Sequence, residues 1–304
     1  MINPDAGAPA FFPPQVAVEI KALACELPLE RKLPFSRLSH DDIAREAVAR
    51  GIVASISGAT VWRWLSTDAI KPWSHRSWIF PRAPNFGPKA ERVLDLYHGM
   101  WEGEPLGTND FVVSADEKTS IQARCRIAPT VPPAPGKARK VEFEYKRMGA
   151  LAYLAAWDVR RAKVFGLCKQ TTGIEPFHEL VDLVMTREPY RSARRVFWVT
   201  DNGSSHRGQK GAKRLCEWYP NAIHVPTPVH ASWLNQVEIY FSIVQRKALT
   251  PNDFADLKTL EEHLLRFQAY YEQIAEPFEW KFTREDLYRI MEKASAHERQ
   301  SLVA

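Results

Sequence analysis

The chain has 304 residues, 45% of them hydrophobic and 25% charged, with a formal net charge of +5. That length predicts one large domain together with a smaller one. No apolar run approaches the ~20 residues that span a bilayer, and the opening MINPDAGAPAFFPPQ lacks the basic and apolar regions of a secretory signal. The cysteines, Cys25, Cys125, Cys168 and Cys216, form no CxxC pair, which argues against a zinc module or a disulfide framework and for a reducing compartment.

Residues 1–35 are rich in proline and alanine without sustained periodicity and are expected to form a flexible arm. From Ser39 the signals sharpen. Ser39 with Asp42 three positions on reads as a helix N-cap. Ile43, Ala44, Ala47 and Val48 supply an apolar stripe, and Gly51 fits the C-terminal stop. Ser57 can cap a second helix from Gly58 to Leu65, with Val61, Trp64 and Leu65 inward and Thr60 and Arg63 outward. Helix, turn, helix over 36–70 is the layout of a small all-α helix-turn-helix DNA reader, although many αα-hairpins share the pattern. Ser57, Thr60 and Arg63 are its candidate DNA contacts. Residues 71–110 read as a basic linker and a short helix, Gly87–Trp101, with Lys71 and Arg76 as candidate phosphate contacts.

From Phe111 strands and helices alternate. The spacing predicts a strand through FVVSADEKTSIQARCR, a proline-rich loop over Pro129–Lys140, and strands at Gly149–Trp157 and Ala162–Cys168. A helix around Glu175–Arg187, a strand Val196–Thr200, a helix Gly208–Trp218, a strand Ala222–Val225 and a helix Ser232–Ala248 follow. Three antiparallel strands and then alternating helices and strands is the element order of the ribonuclease H-like α/β fold, a mixed sheet flanked by helices. It is assigned here to 111–250. The acidic segment 251–304 is expected to add helices, about Leu257–Ile274 and Arg284–Ala294, that pack on the flank.

Three carboxylates stand where such elements converge. Asp116 lies in the first strand, where alternation sends Glu117 to the opposite face and Lys118 to its own. Lys118 could neutralise a phosphate or form a salt bridge within the cluster. Asp201 ends an apolar strand, where open α/β sheets place ligand-binding groups, and Glu238 sits early in the helix from Ser232. Two Mg²⁺ ions about 3.5–4 Å apart can drive an in-line phosphodiester displacement, and Mg²⁺ takes oxygen ligands. Residues 111–250 hold 22 Lys and Arg against 12 Asp and Glu. That excess suits a phosphate-backbone partner or a solvated basic surface.

The blocks SADEKT around Asp116, VTDNGSSHRG around Asp201 and PTPVHASWLNQVEIYFSIVQRKAL around Glu238 resemble the DDE transposases of bacterial insertion sequences related to the mariner superfamily. The 36 residues between Asp201 and Glu238 match that family's short spacing. The resemblance implies a metal-dependent DNA endonuclease and strand transferase in which Asp116, Asp201 and Glu238 hold two Mg²⁺ or Mn²⁺ ions. It further implies supporting roles for Asn202, His206 and Asn235. Asn235 would lie on nearly the same helix face as Glu238 and orient a carboxylate or the scissile phosphate, and His206 could contact DNA or brace its own loop. Double-stranded DNA is the implied partner, as terminal inverted repeats and as target at TA. A homodimer and a cytoplasmic, nucleoid-associated location are implied as well. Relatives often carry proline where this chain has Gln236. They also carry two helix-turn-helix units where one is recognisable here, which implies shortening at the N-terminus. A ribonuclease H-like nuclease without strand transfer, and a non-catalytic repressor derived from a transposase, are the alternative readings.

Overall fold

The computed structural model describes residues 12–75, 81, 85–203 and 208–301, with main chain alone at 208–209 and 297–301. The chain divides into two compact units, Met1–Ile79 and Phe80–Ala304.

The first unit is helical: α1 (Pro14–Ala24), a 3-10 turn (Pro28–Arg31), α2 (His40–Ala49) and α3 (Gly58–Thr67). The expectation of a flexible arm over 1–35 does not hold for α1. Pro14 occupies the first helical position, where its missing N–H costs nothing. Val16, Ile20, Leu23 and Ala24 then follow helical spacing, and the last three are buried with Ile43, Ala47, Val61 and Leu65. In α2 the Ser39 hydroxyl accepts from Asp42 N (3.2 Å) while Asp42 Oδ2 accepts from Ser39 N (2.9 Å), a reciprocal cap. At its end, Gly51 adopts φ +71°, and Gly51 N and Ile52 N donate to Val48 O and Ala47 O, both at 3.0 Å. Val48, expected to face inward, is 42% exposed. The helices α2 and α3 approach so closely that a Cβ on Gly58 would lie 1.8 Å from Asp41 Oδ1.

The second unit opens with α4 (Phe86–Tyr97) and a hairpin of β1 (Met100–Trp101) and β2 (Glu104–Pro105). The predicted helix to Trp101 thus stops four residues early, where Gly99 turns the chain with φ +79°. Phe86, Ala90, Val93, Leu94 and Leu96 are buried in the core of this unit, so α4 is part of the large domain and not of a linker. The remaining elements are β3 (Asp110–Arg126), β4 (Tyr145–Asp158), β5 (Lys163–Lys169), α5 (Ile174–Met185), β6 (Arg195–Thr200), α6 (Gly208–Trp218) and β7 (Ala222–Pro226). A 3-10 turn (Ser232–Leu234), α7 (Val237–Lys247), α8 (Leu257–Ile274) and α9 (Arg284–Ser301) complete it.

The five long strands form one sheet in the order β5-β4-β3-β6-β7. The pairs β5/β4 and β4/β3 are antiparallel, while β3/β6 and β6/β7 are parallel. This is the ribonuclease H-like arrangement. Alternation along β3 assigns its two faces. Phe111, Val113 and Ala115 pack with Phe177, Leu180, Val184 and Leu215 from α5 and α6. Val112 packs on the other face with Val237, Tyr240, Phe241 and Val244 from α7, and with Leu260 and Leu264 from α8. Each such side chain contributes roughly 1.5–3 kcal/mol when fully buried. The register then slips. Lys118 pairs with Tyr153 but Ile121 with Leu151, so β3 carries one extra residue, with Ser120 at φ +56°. The bulge rephases the strand, and Ile121 and Ala123 return to the face of Val112.

Candidate active site

Asp116 is six residues into β3 on the α7 face, 8% exposed. Its Oδ1 accepts from Glu117 N (2.8 Å), and its Oδ2 accepts from Asn235 Nδ2 (3.3 Å). Ala115 pairs with Thr200, the last residue of β6, so the next residues of the two parallel strands, Asp116 and Asp201, emerge side by side. Asp201 Oδ1 accepts from Gly203 N (2.7 Å), tightening the turn. Asn202 Nδ2 donates to Thr227 O (2.8 Å), which ties that turn to the chain leaving β7. Glu238 is the second residue of α7 and is exposed.

These carboxylates feel one another. Burial first, then the charges of Asp201, Glu117 and Glu238, push the pKa of Asp116 up to about 8. Burial and Asp201 also raise Glu238, against the attraction of Lys118.

The segment before Glu238 departs from the expected single helix. The 3-10 turn ends at Leu234, and Asn235 has ψ 108°, outside helical geometry. Asn235 therefore does not share a helix face with Glu238, because its side chain is committed elsewhere. Fully buried, it accepts from the Ser114 hydroxyl and donates to Ala115 O (3.0 Å) and Asp116 Oδ2. Ser114 Oγ in turn accepts from Val237 N (2.9 Å), at the start of α7. Tyr97 OH donates to Leu234 O (2.7 Å) and accepts from Gln236 N (3.4 Å). Asn235 thus bonds Asp116 directly and, through Ser114, is linked to the start of the helix that bears Glu238. Ser114 and Tyr97 were missed by sequence reasoning. Alternation could have found Ser114, two residues before Asp116 on the same face, whereas Tyr97 has no local signal.

The remaining candidates divide. His206 and Arg76 lie outside the described residues. In the first unit Ser57 Oγ accepts from Thr60 N (3.2 Å) and bonds Thr60 Oγ1 (3.0 Å), so both hydroxyls serve the start of α3. Arg63 and Lys71 are exposed. Trp62, not foreseen as a surface group, is 49% exposed on the same helix.

Among the described residues no three carboxylate, imidazole or thiolate groups converge closely enough to hold a metal ion as they stand. The chemistry of the donor set nonetheless fits a hard divalent cation. It offers oxygen ligands alone, and Mg²⁺ needs only a few of them beside its waters. One of the three, Asp116, is buried in a negative field that a cation would relieve.

The model of the DDE superfamily endonucleases matches residues 112–261. Residues 112–261 form a DDE superfamily endonuclease domain. This endonuclease domain contains Asp116, Asp201 and Glu238. The whole chain is similar in fold to solved structures of the Mos1 mariner transposase. The Mos1 paired-end complex with Mn is 16% identical, with a TM-score of 0.53 over 96% of this chain and 79% of that one. The complex with Mg is 14% identical, with a TM-score of 0.53 over 97% and 81%. A pre-cleavage Mos1 transpososome is 16% identical, with a TM-score of 0.51 over 95% and 78%. No curated protein sequence matches the chain. Among the described residues no helix is long and apolar enough to cross a membrane.

Proposed function

We propose that the chain is a mariner-related DNA transposase whose endonuclease domain cuts at the ends of a mobile element and joins them to target DNA. The observation that supports this reading is the placement of Asp116, Asp201 and Glu238 on the neighbouring elements β3, β6 and α7, with Asp116 pushed up to about 8 by burial and by the charges of Asp201, Glu117 and Glu238. Asp116, Asp201 and Glu238 would hold two divalent ions, Mg²⁺ or Mn²⁺, which supply activation of the attacking oxygen and stabilisation of the leaving one. Asn235 fixes the Asp116 oxygen that it bonds, and Ser114 locks Asn235 to the first turn of α7. Hydrolysis would free a 3′-hydroxyl, and attack of that hydroxyl on target DNA is a transesterification needing no external energy source.

The small helical unit would bind the terminal inverted repeats through α3, with Arg63 and Lys71 as its exposed cations. The similar Mos1 structures are paired-end complexes with Mn and with Mg and a pre-cleavage transpososome, which supports DNA and a divalent ion as partners here, and a homodimer follows from the family resemblance. A TA target follows from the family resemblance.

The test is cleavage of end-bearing duplex DNA by purified protein with Mg²⁺ or Mn²⁺. Wild type should cut and lose cutting in EDTA. Asp201→Ala should bind the same DNA in a gel shift yet leave it intact. Equal cleavage by wild type and Asp201→Ala would overturn the site, and tight binding without cleavage by wild type would establish the repressor reading.

A further inference from the structure

A cleft of about 470 Å³ opens between the bulged half of β3 and the C-terminal turn of α7. Lys118, Gln122, Arg124 and Arg126 line one side, Gln245 and Asn252 the other, and among the described residues no acidic one lines it. Each wall of the cleft belongs to an element that bears one of the carboxylates, β3 with Asp116 and α7 with Glu238. On β3, Lys118 follows Asp116 by two positions on the same face. On α7, Gln245 follows Glu238 by seven residues, two turns along the same side of the helix and about 10 Å away.

Its cations are held in place. The Arg124 guanidinium lies 4.7 Å from the Tyr145 ring centroid, and its Nε donates to Gln122 Oε1 (3.3 Å). Its backbone N–H is fixed by Asn252 Oδ1 (2.9 Å). Arg126 lies over the same ring at 5.2 Å and donates to three backbone carbonyls, of Asn252, Glu142 and Phe143. Among the described residues neither guanidinium meets a carboxylate in these contacts. A solvated basic surface would leave such side chains to water. Here an aromatic ring and main-chain oxygens orient them.

We propose that this cleft seats the backbone of one DNA strand as it leaves the three carboxylates. Arg124 binds a phosphate roughly seven nucleotides from the scissile one, because it stands eight residues beyond Asp116 on β3, roughly 25 Å at about 3.3 Å per strand residue and about 3.4 Å per nucleotide step. The polar wall of Gln245 and Thr250, already joined by a 3.0 Å hydrogen bond, limits lateral movement of that strand. Arg124 is then a positioning residue, setting which phosphodiester lies over the carboxylates. The inference rests on the DNA-cutting reading but concerns a different group of residues.

The experiment uses the full chain with fluorescent single-stranded and duplex oligodeoxynucleotides. Binding is measured across a salt series, and metal-dependent cut positions are mapped at nucleotide resolution. Arg124→Ala should weaken binding about ten-fold, lower the slope of log affinity against log salt by about 0.7 to 0.9, and spread the cuts over neighbouring phosphates. Arg124→Lys keeps the charge and should restore the slope. Gln245→Ala, an exposed change, should leave the slope intact and still broaden the cuts. Wild-type slope and cut position in both Arg124→Ala and Gln245→Ala would overturn the proposal. If Asp201→Ala cuts as well as wild type, the catalytic reading fails by itself. The salt slope of Arg124→Ala still decides whether the cleft holds DNA.

Discussion

Asp116 is 8% exposed among like charges, and burial followed by Asp201, Glu117 and Glu238 lifts its pKa from 3.8 to about 8. Between those values the folded chain holds a proton that the unfolded chain has released, so folding stability falls as pH rises through that window. In EDTA, wild type should therefore lose more melting temperature between pH 5 and pH 8 than Asp116→Asn, whose amide imitates the protonated acid. Mn²⁺ should close the gap at pH 8 by taking the proton's place. Parallel melting profiles would show that Asp116 is not so shifted. Asn235 offers a related measurement. Asn235→Ala removes its bonds to Ser114, Ala115 and Asp116, and one buried group left unpaired costs about 1–3 kcal/mol. It also removes a donor that favours the ionised form of Asp116. The acid limb of metal-dependent cleavage should consequently move to higher pH, which a purely structural defect would not cause. The three carboxylates could be proposed from sequence because strand alternation and the ends of apolar runs mark them locally. That Asn235 could orient a carboxylate came only from the family resemblance, and the bonds through which it acts were not legible. Its partners Ser114 and Ala115 are more than 100 residues away in the chain, and only folding brings them together.

The same division between local and distant causes holds for whole elements. The start of α2 and of α3 could be read from Ser39 and Ser57 because a cap involves residues three apart. Ser39→Ala and Ser57→Ala should each cost about 1 kcal/mol, measurable as a lower denaturation midpoint of the helical unit. Because Ser57 is a cap, weakened DNA binding by Ser57→Ala is expected to track that stability loss. Arg63→Ala should weaken DNA binding at unchanged stability, and equal behaviour of the two variants would contradict this assignment. Helix α1 escapes the sequence reading because residues 1–35 taken together lack sustained periodicity, although Val16, Ile20, Leu23 and Ala24 have helical spacing. The break before α7 and the bulge at Ser120 have no comparable signal. The first depends on Tyr97 and Ser114 bonding the chain at Leu234, Gln236 and Val237. The second depends on the register that β4 imposes.

Across the whole molecule, the sheet explains why one site can serve two reactions. The parallel pair β3 and β6 releases Asp116 and Asp201 together, and α7 adds Glu238 from the side, leaving Glu238 exposed and Asp201 partly so. An open site accommodates either water or a DNA hydroxyl as the attacking group, and the same carboxylates would serve both. Hydrolysis alone would make the chain a nuclease, whereas attack by a 3′-hydroxyl would make it a transposase. A duplex ending in a pre-cut 3′-hydroxyl, supplied with a target plasmid, separates the two. Joined product should appear with Mg²⁺ or Mn²⁺ and disappear in EDTA. It should also be absent with Asp201→Ala and with Glu238→Ala. The basic excess of 111–250 gives the reaction a further signature. Joining requires target DNA as well as the end, so it neutralises more phosphates than cleavage and should fall more steeply between 50 and 200 mM salt, by about the added number of contacts in slope. Cleavage of end DNA with no joined product at any salt concentration would assign the chain to the nuclease class despite its transposase-like fold.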